Sequence, residues 1–151
     1  MSNDHHQRFM SLAIDEARAA AIAGNLAVGS VIVRNGGVIG TGRNMVAAMG
    51  DPTAHAEIVA IRDAARRSGA TLFEGATLYT TTEPCPMCLW AVCATGIGEL
   101  VLGARHAAFV RPELGDYSAE RMVELTAASL VVVTGVLVEE CESLRTDLIR
   151  R

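Results

Sequence analysis

The chain has no lysine: all thirteen of its basic residues are arginine, set against seventeen acidic ones, for a formal net charge of −4 and a pI near 5.5. That balance excludes a general attraction to polyanions, because nucleic-acid binding depends heavily on Lys and Arg neutralising phosphates, although a local basic patch stays open. No run approaches the roughly 18 uninterrupted apolar residues of a membrane span. The start, Met1 to Arg8, is not followed by the hydrophobic stretch of a signal peptide, so a soluble, cytoplasmic protein is expected. Internal repeats, low-complexity segments and linkers are also missing. A length of 151 residues with 50% hydrophobic content suits one domain, residues 1–151, around one core. Cysteine is scarce, at four. With no sign of secretion, and two of the four in the tight unit Cys85-Pro86-Met87-Cys88, metal or redox chemistry is the better reading than disulfides.

Apolar residues at helical spacing from Phe9 to Ala23 predict an amphipathic first helix ending at Gly24, with His5 and His6 in a frayed N-terminus. Val28 to Arg34 and Val38 to Thr41 read as two antiparallel strands around Asn35-Gly36, a dipeptide suited to the positive φ angles of a tight hairpin. Asp51-Pro52-Thr53 then offers a helix start, and Ala54 to Ser68 a second helix stopped by Gly69. Strand, short helix and strand follow at Thr77 to Thr82, Pro86 to Ala94 and Glu99 to Leu102. Ser118 to Ala127, Leu130 to Thr134 and Leu137 to Arg150 read as helix, strand, helix. This alternation predicts an α/β layered domain whose least regular stretch is His106 to Tyr117.

The chemistry is concentrated in His55-Ala56-Glu57 and, thirty positions after the histidine, Pro84-Cys85-Pro86-Met87-Cys88. Zinc favours imidazole nitrogen and thiolate sulfur in a tetrahedron, and a catalytic site leaves one corner for water. One histidine plus two cysteines leaves that corner open. Cys85 and Cys88 fall at the start of a predicted helix, where side chains at i and i+3 share a face and the dipole favours thiolates. His55 lies at the start of another, so two helix ends are expected to converge on one Zn²⁺. Glu57 is the candidate proton carrier: it would take a proton from water, protonate a ring nitrogen and later serve the departing ammonia. Taken alone, Cys-x-x-Cys also fits a structural zinc knuckle or a redox pair. A structural site, however, normally needs a fourth protein ligand.

His-x-Glu followed by Pro-Cys-x-x-Cys is the signature of zinc-dependent nucleobase deaminases. The chain resembles the cytidine deaminase superfamily, and within it the tRNA adenosine deaminases and guanine deaminases. The resemblance runs through Val28 to Val33, Gly42-Arg43-Asn44, Asp51 to Glu57, Thr82 to Cys88 and Leu102-Gly103-Ala104. It implies a three-layer α/β/α fold with a five-stranded mixed sheet, one zinc and a homodimer. It also implies that Asn44 hydrogen-bonds the base and that the backbone N–H of Ala56 meets the oxygen formed on the ring.

The segment Gly135 to Cys141 is similar to the tRNA enzymes. The middle departs from them: Leu89-Trp90 replaces two small residues after Cys88, and Arg105 to Tyr117 lacks their Asp, Lys and Gly-Ala-Ala-Gly-Ser pattern. Free guanine deaminases share Pro-Cys-Pro-Met-Cys-Leu and Asp-Pro-Thr-Ala-His-Ala-Glu. The expected substrate is therefore a small nucleobase-like ring (guanine, cytosine, adenine or a triazine). The alternatives are adenosine in tRNA, which Arg145, Arg150 and Arg151 would help to hold, and a non-enzymatic zinc-stabilised binding module. Trp90 is a candidate for the pocket wall, equally readable as a core or dimer contact. Phe109 is a candidate base-stacking lid, against the plainer reading of a loop anchor. His106 reads as a surface or loop histidine, Cys93 and Cys141 as small buried hydrophobes, and Arg62, Arg66 and Arg67 as a solvated helix end. Glu83 reads as structural, its carboxylate holding the metal loop through backbone hydrogen bonds.

Overall fold

The first helix, α1, spans Asn3–Ile22 and so starts well ahead of Phe9. The expected frayed end is a helical turn, because His6 is buried and its Nδ1 lies 3.0 Å from the hydroxyl of Tyr79, a hydrogen bond that anchors the helix to the sheet. Burial also pushes the His6 pKa below its ordinary value, keeping the ring neutral there. This computed structural model describes residues 2–145.

After α1 come β1 (Gly29–Arg34) and β2 (Gly37–Arg43), then a short helix, α2 (Val46–Met49), that the spacing did not suggest. The Asn35-Gly36 turn has φ of 52° and 75°, the two positive values its sequence favours. Next are α3 (Ala56–Ser68), β3 (Thr77–Thr82), α4 (Pro86–Ala94) and β4 (Glu99–Ala104). The irregular stretch forms two 3₁₀ turns, His106–Ala108 and Pro112–Leu114, followed by α5 (Ala119–Thr126), β5 (Val131–Val133) and α6 (Val138–Ser143). The sequence extends that last helix to Arg150, and its C-terminal part lies outside the described residues.

The five strands form one mixed sheet in the order β2-β1-β3-β4-β5. β1 pairs antiparallel with β2 and β3, whereas β3, β4 and β5 run parallel. Side chains alternate across it, as strand geometry requires. Ile32, Leu78, Leu100 and Leu102 meet α3, α4 and α5 through Ala60, Ala64, Leu89, Val92 and Ala119. Val31, Val33, Tyr79 and Val101 meet α1 and α6 through Phe9, Met10, Ala13 and Cys141. The result is the three-layer α/β/α arrangement expected from the resemblance. Among the described residues no helix is long and apolar enough to cross a membrane.

Gly40 and Gly42 let α3 lie close on β2, and Gly42 does so at the start of the helix. A Cβ on Gly42 would stand 2.2 Å from the carbonyl oxygen of Ala56 and 2.3 Å from the nitrogen of Ala60. Only a residue without a side chain lets the helix start lie directly on β2, and that start carries His55, Ala56 and Glu57.

Candidate active site

His55 and Cys85 are the N-cap residues of α3 and α4, both in extended conformation, and Cys88 sits in the first turn of α4 behind Pro86. Proline suits that first helical position because its missing N–H would be unpaired there in any case. The parallel strands place the two helix starts at one end of the sheet. His55 Nδ1 lies 3.6 Å from Cys85 Sγ and 3.4 Å from Cys88 Sγ. The three ligand atoms lie within 4.8 Å of one another and form the metal-capable group of the described residues. One imidazole and two thiols aimed at a common point are a donor set that zinc prefers.

The protons in this cluster are unevenly held. A hydrogen bond from Cys88, reinforced by His55 against the opposing effect of burial, brings the Cys85 thiol down to about 4. The same bond and burial push the Cys88 thiol up. His55 is raised, chiefly by its hydrogen bond with Cys85. Glu57 is buried, and desolvation raises its carboxyl above the usual range. Thr80 donates its hydroxyl to Glu57 Oε1 at 3.1 Å. A carboxyl tuned upward in this way suits a group that must both accept and return a proton near neutral pH.

These groups open onto a cavity of ≈ 200 Å³ lined by Val28, Asn44, His55, Ala56, Glu57 and Thr82, and by His106, Arg111, Glu113 and Arg145 from later in the chain. That lies below the roughly 300–1,000 Å³ of pockets for drug-sized ligands and suits a single ring system. Asn44 is buried, with its Oδ1 accepting the N–H of Val46 at 3.1 Å. Ala56 opens α3, so its N–H is one of the helix donors without an intrahelical acceptor.

Glu83 behaves as the sequence suggests. Its buried carboxylate accepts the backbone N–H groups of His106 and Ala119, each at 3.0 Å, and Nη1 of Arg105 at 3.2 Å. The neighbouring carbonyl of Pro84 receives the Tyr117 hydroxyl at 2.6 Å and faces His106 Nε2 at 3.2 Å. The loop that presents Cys85 is thereby tied to the segment 105–119.

Several expectations need correction. Trp90 is half exposed and lines a separate cleft with Cys93, Gly98 and Leu130, away from the site, because its position on α4 faces the end of α5 and the connection that follows it. Phe109 is not a lid: it is buried in the core layer beneath α1, with the Arg145 guanidinium 5.4 Å above its ring, which is the loop-anchor reading. His106 is a buried member of the pocket wall instead of a surface histidine, although it is no metal ligand. Arg145, expected at an RNA-facing surface, is only 2% exposed and reaches Thr82 Oγ1 at 3.3 Å. Arg150 and Arg151 lie outside the described residues. Arg62, Arg66 and Arg67 pair with Asp51 and Asp63, as a solvated helix end does. Cys141 is buried against Gly103 and Cys93 partly so. Arg111, Glu113 and Thr82 went unnoticed in the sequence. Only Thr82 had a usable signal, since strand alternation puts it on the same face as Thr80.

Together the α/β/α sheet and a His, Cys, Cys cluster beside a buried glutamate define a zinc-site protein of the deaminase class. Residues 3–104 match the family model described as the cytidine and deoxycytidylate deaminase zinc-binding region, and the chain belongs to that family of hydrolytic, zinc-dependent enzymes. It is 34% identical over 151 residues to the tRNA-specific adenosine deaminase of Bacillus subtilis, covering 94% of this chain and 87% of that one. It is 44% identical over 138 residues to the guanine deaminase of the same organism, covering 83% and 87%. A solved structure from studies of A-to-I editing by tRNA:A34 deaminases superimposes with a TM-score of 0.81 at 34% identity, over 91% of this chain and 98% of the other.

Proposed function

We propose that the chain removes an amino group from a purine-type ring by hydrolysis, with His55, Cys85 and Cys88 as the zinc ligands and Glu57 as the proton carrier. The observation that carries this reading is the convergence of three ligand atoms within 4.8 Å at the mouth of α3, beside a buried carboxyl in a ring-sized cavity. Three protein ligands, not four, favour catalysis over a zinc-stabilised binding module. Zinc held there would lower the pKa of a water ligand toward ~7. Glu57 takes a proton from the attacking water and passes it to a ring nitrogen. It then takes the second proton from the hydroxyl so added and gives it to the amino group, which departs as ammonia as the C–N bond breaks and the oxygen stays on the ring as a carbonyl. The Ala56 N–H donates to that oxygen, and Asn44 holds the base through its amide. Such buried donors reject a ring that leaves them unpaired.

Two settings for the ring compete. The relatives give the broader support to adenosine within a tRNA, through the B. subtilis enzyme and the solved structure, against the free base expected from the sequence. The guanine deaminase relative and the acidic balance of the chain favour the free base. Ammonia release measured in parallel on free bases, nucleosides and an anticodon stem-loop by the zinc-loaded protein separates them. Inosine formation in the stem-loop without turnover of free bases selects tRNA, the reverse selects the free base, and no release from any substrate rejects deamination. The homodimer implied by the resemblance is tested by light scattering.

A further inference from the structure

The carboxyl of Glu57 is held from below by a side chain that does not reach the cavity. Glu57 is the second residue of α3, and its buried side chain extends to β3, where the Thr80 hydroxyl donates to Oε1 at 3.1 Å. The cavity lining includes Glu57 and Thr82 but not Thr80, which is fully buried. Thr80 therefore touches the proton carrier and no ligand. Its own place is rigid: β3 is the middle strand of the sheet, and Thr80 is paired with Ser30 of β1 on one side and Leu102 of β4 on the other. A β-branched side chain has little freedom at χ1. The same hydroxyl lies 3.2 Å from the carbonyl oxygen of Thr82. A hydroxyl carries one hydrogen, and an ionised carboxylate is a stronger acceptor than a carbonyl, so the hydrogen goes to Glu57.

The last torsion of a glutamate, which turns its two oxygens, is broad and roughly two-fold. A hydrogen bond to Oε1 removes that freedom and gives the two oxygens different tasks. Oε1 can accept from Thr80 whether the carboxyl is ionised or carries a proton on its other oxygen, because the acid form keeps a carbonyl oxygen. Oε2 is then the atom left to take and give protons. Burial of a hydroxyl on this face is not enough to make such a contact. Ser30, directly opposite Thr80 and so on the same face of the sheet, has a buried Oγ with no hydrogen-bond partner among the described residues.

We propose that Thr80 is a positioning residue for proton transfer: it fixes Oε1 to the sheet so that Oε2 faces the cluster of His55, Cys85 and Cys88 and moves the protons. This rests on the deaminase reading above. Misplacing a reacting group by about 1 Å costs on the order of 10²-fold in rate. Thr80→Val keeps the shape and loses the donor. In the zinc-loaded full-length protein it should lower kcat by about 10- to 100-fold and leave KM unchanged, measured on whichever of the free bases or the anticodon stem-loop the wild type turns over. Thr80→Ser restores the hydroxyl and should recover most of that loss. Ser30→Ala removes the neighbouring hydroxyl and should leave kcat as it was. Zinc content by metal analysis should match the wild type in all three, and Thr80→Ala serves if the valine variant does not fold. Unaltered kcat in Thr80→Val, equal losses in Thr80→Val and Thr80→Ser, an equal loss in Ser30→Ala, or zinc lost in step with kcat overturns the proposal while deamination stands. If the wild type deaminates nothing, that reading fails, and crystal structures of wild type and Thr80→Val judge the hold on Oε1 by itself: a Glu57 carboxyl turned out of its wild-type plane supports it, and an unmoved carboxyl overturns it.

Discussion

The wall of the pocket that holds the metal ligands is made by backbone, whereas the wall contributed by residues after Ala104 is made by side-chain contacts. His55 and Cys85 are positioned as the caps of two helices laid on a sheet, with Gly42 fixing how closely α3 approaches. The later wall, with His106, Arg111, Glu113 and Arg145, hangs on Glu83, Tyr117 and Thr82. The family match ends at residue 104, so it covers the first wall and stops short of the second. The metal-capable cluster and the rest of the cavity lining therefore rest on different mechanical support. Backbone placement tolerates few substitutions, while a wall hung on side chains can be rebuilt around a fixed reaction.

The sharpest way to break this division is at Glu57. Glu57→Gln should retain zinc by metal analysis yet lose about 10²–10⁴-fold in kcat, the usual contribution of a proton-transfer group. Retention of more than a few per cent of activity would remove Glu57 from its role. Gly42→Ala tests the backbone wall itself. Its methyl would meet main-chain atoms of α3 that cannot swing aside, so unfolding measurements should show a loss of about 1–3 kcal/mol, with zinc affinity falling too. An unperturbed variant would mean that the helix height does not matter.

Tyr117→Phe probes the tie between the walls. Losing the hydrogen bond to the Pro84 carbonyl should cost about 0.5–1.5 kcal/mol and speed release of zinc to a chelator, because the Cys85 loop loses a brace. Unaltered release kinetics would detach the segment 105–119 from the metal loop. The smallest effect is expected away from both walls, at His6. Its folded pKa is depressed below 6.5, mainly by burial. Below pH 6.5 the unfolded chain therefore takes up a proton that the folded chain resists, and stability is lost as pH falls. His6→Gln should narrow the difference in urea midpoint between pH 7.5 and 5.5, and an unchanged difference would show that His6 does not contribute.

Legibility followed the same boundary. The ligand triad and Glu57 stand in short segments whose spacing encodes helix starts, and a helix start is a local property of proline, capping geometry and hydrophobic period. The Asn35-Gly36 turn and the alternating strands were readable for the same reason. The sequence left Trp90 open and offered two readings of Phe109, because an aromatic side chain is equally at home in core, interface and pocket, and only its neighbours decide. Arg145 looked like surface because charged residues are almost never fully buried unless paired.

Local order along the chain thus determined the elements, the α/β class and the identity of the metal-binding group, since each depends on residues a few positions apart or on a chemistry that few residue types supply. The tertiary structure alone decided which side chains after residue 104 enter the cavity, because that depends on packing between segments far apart in the chain. Thr82 and Arg145, 63 positions apart, meet only when β3 and the end of α6 are brought to the same edge of the pocket.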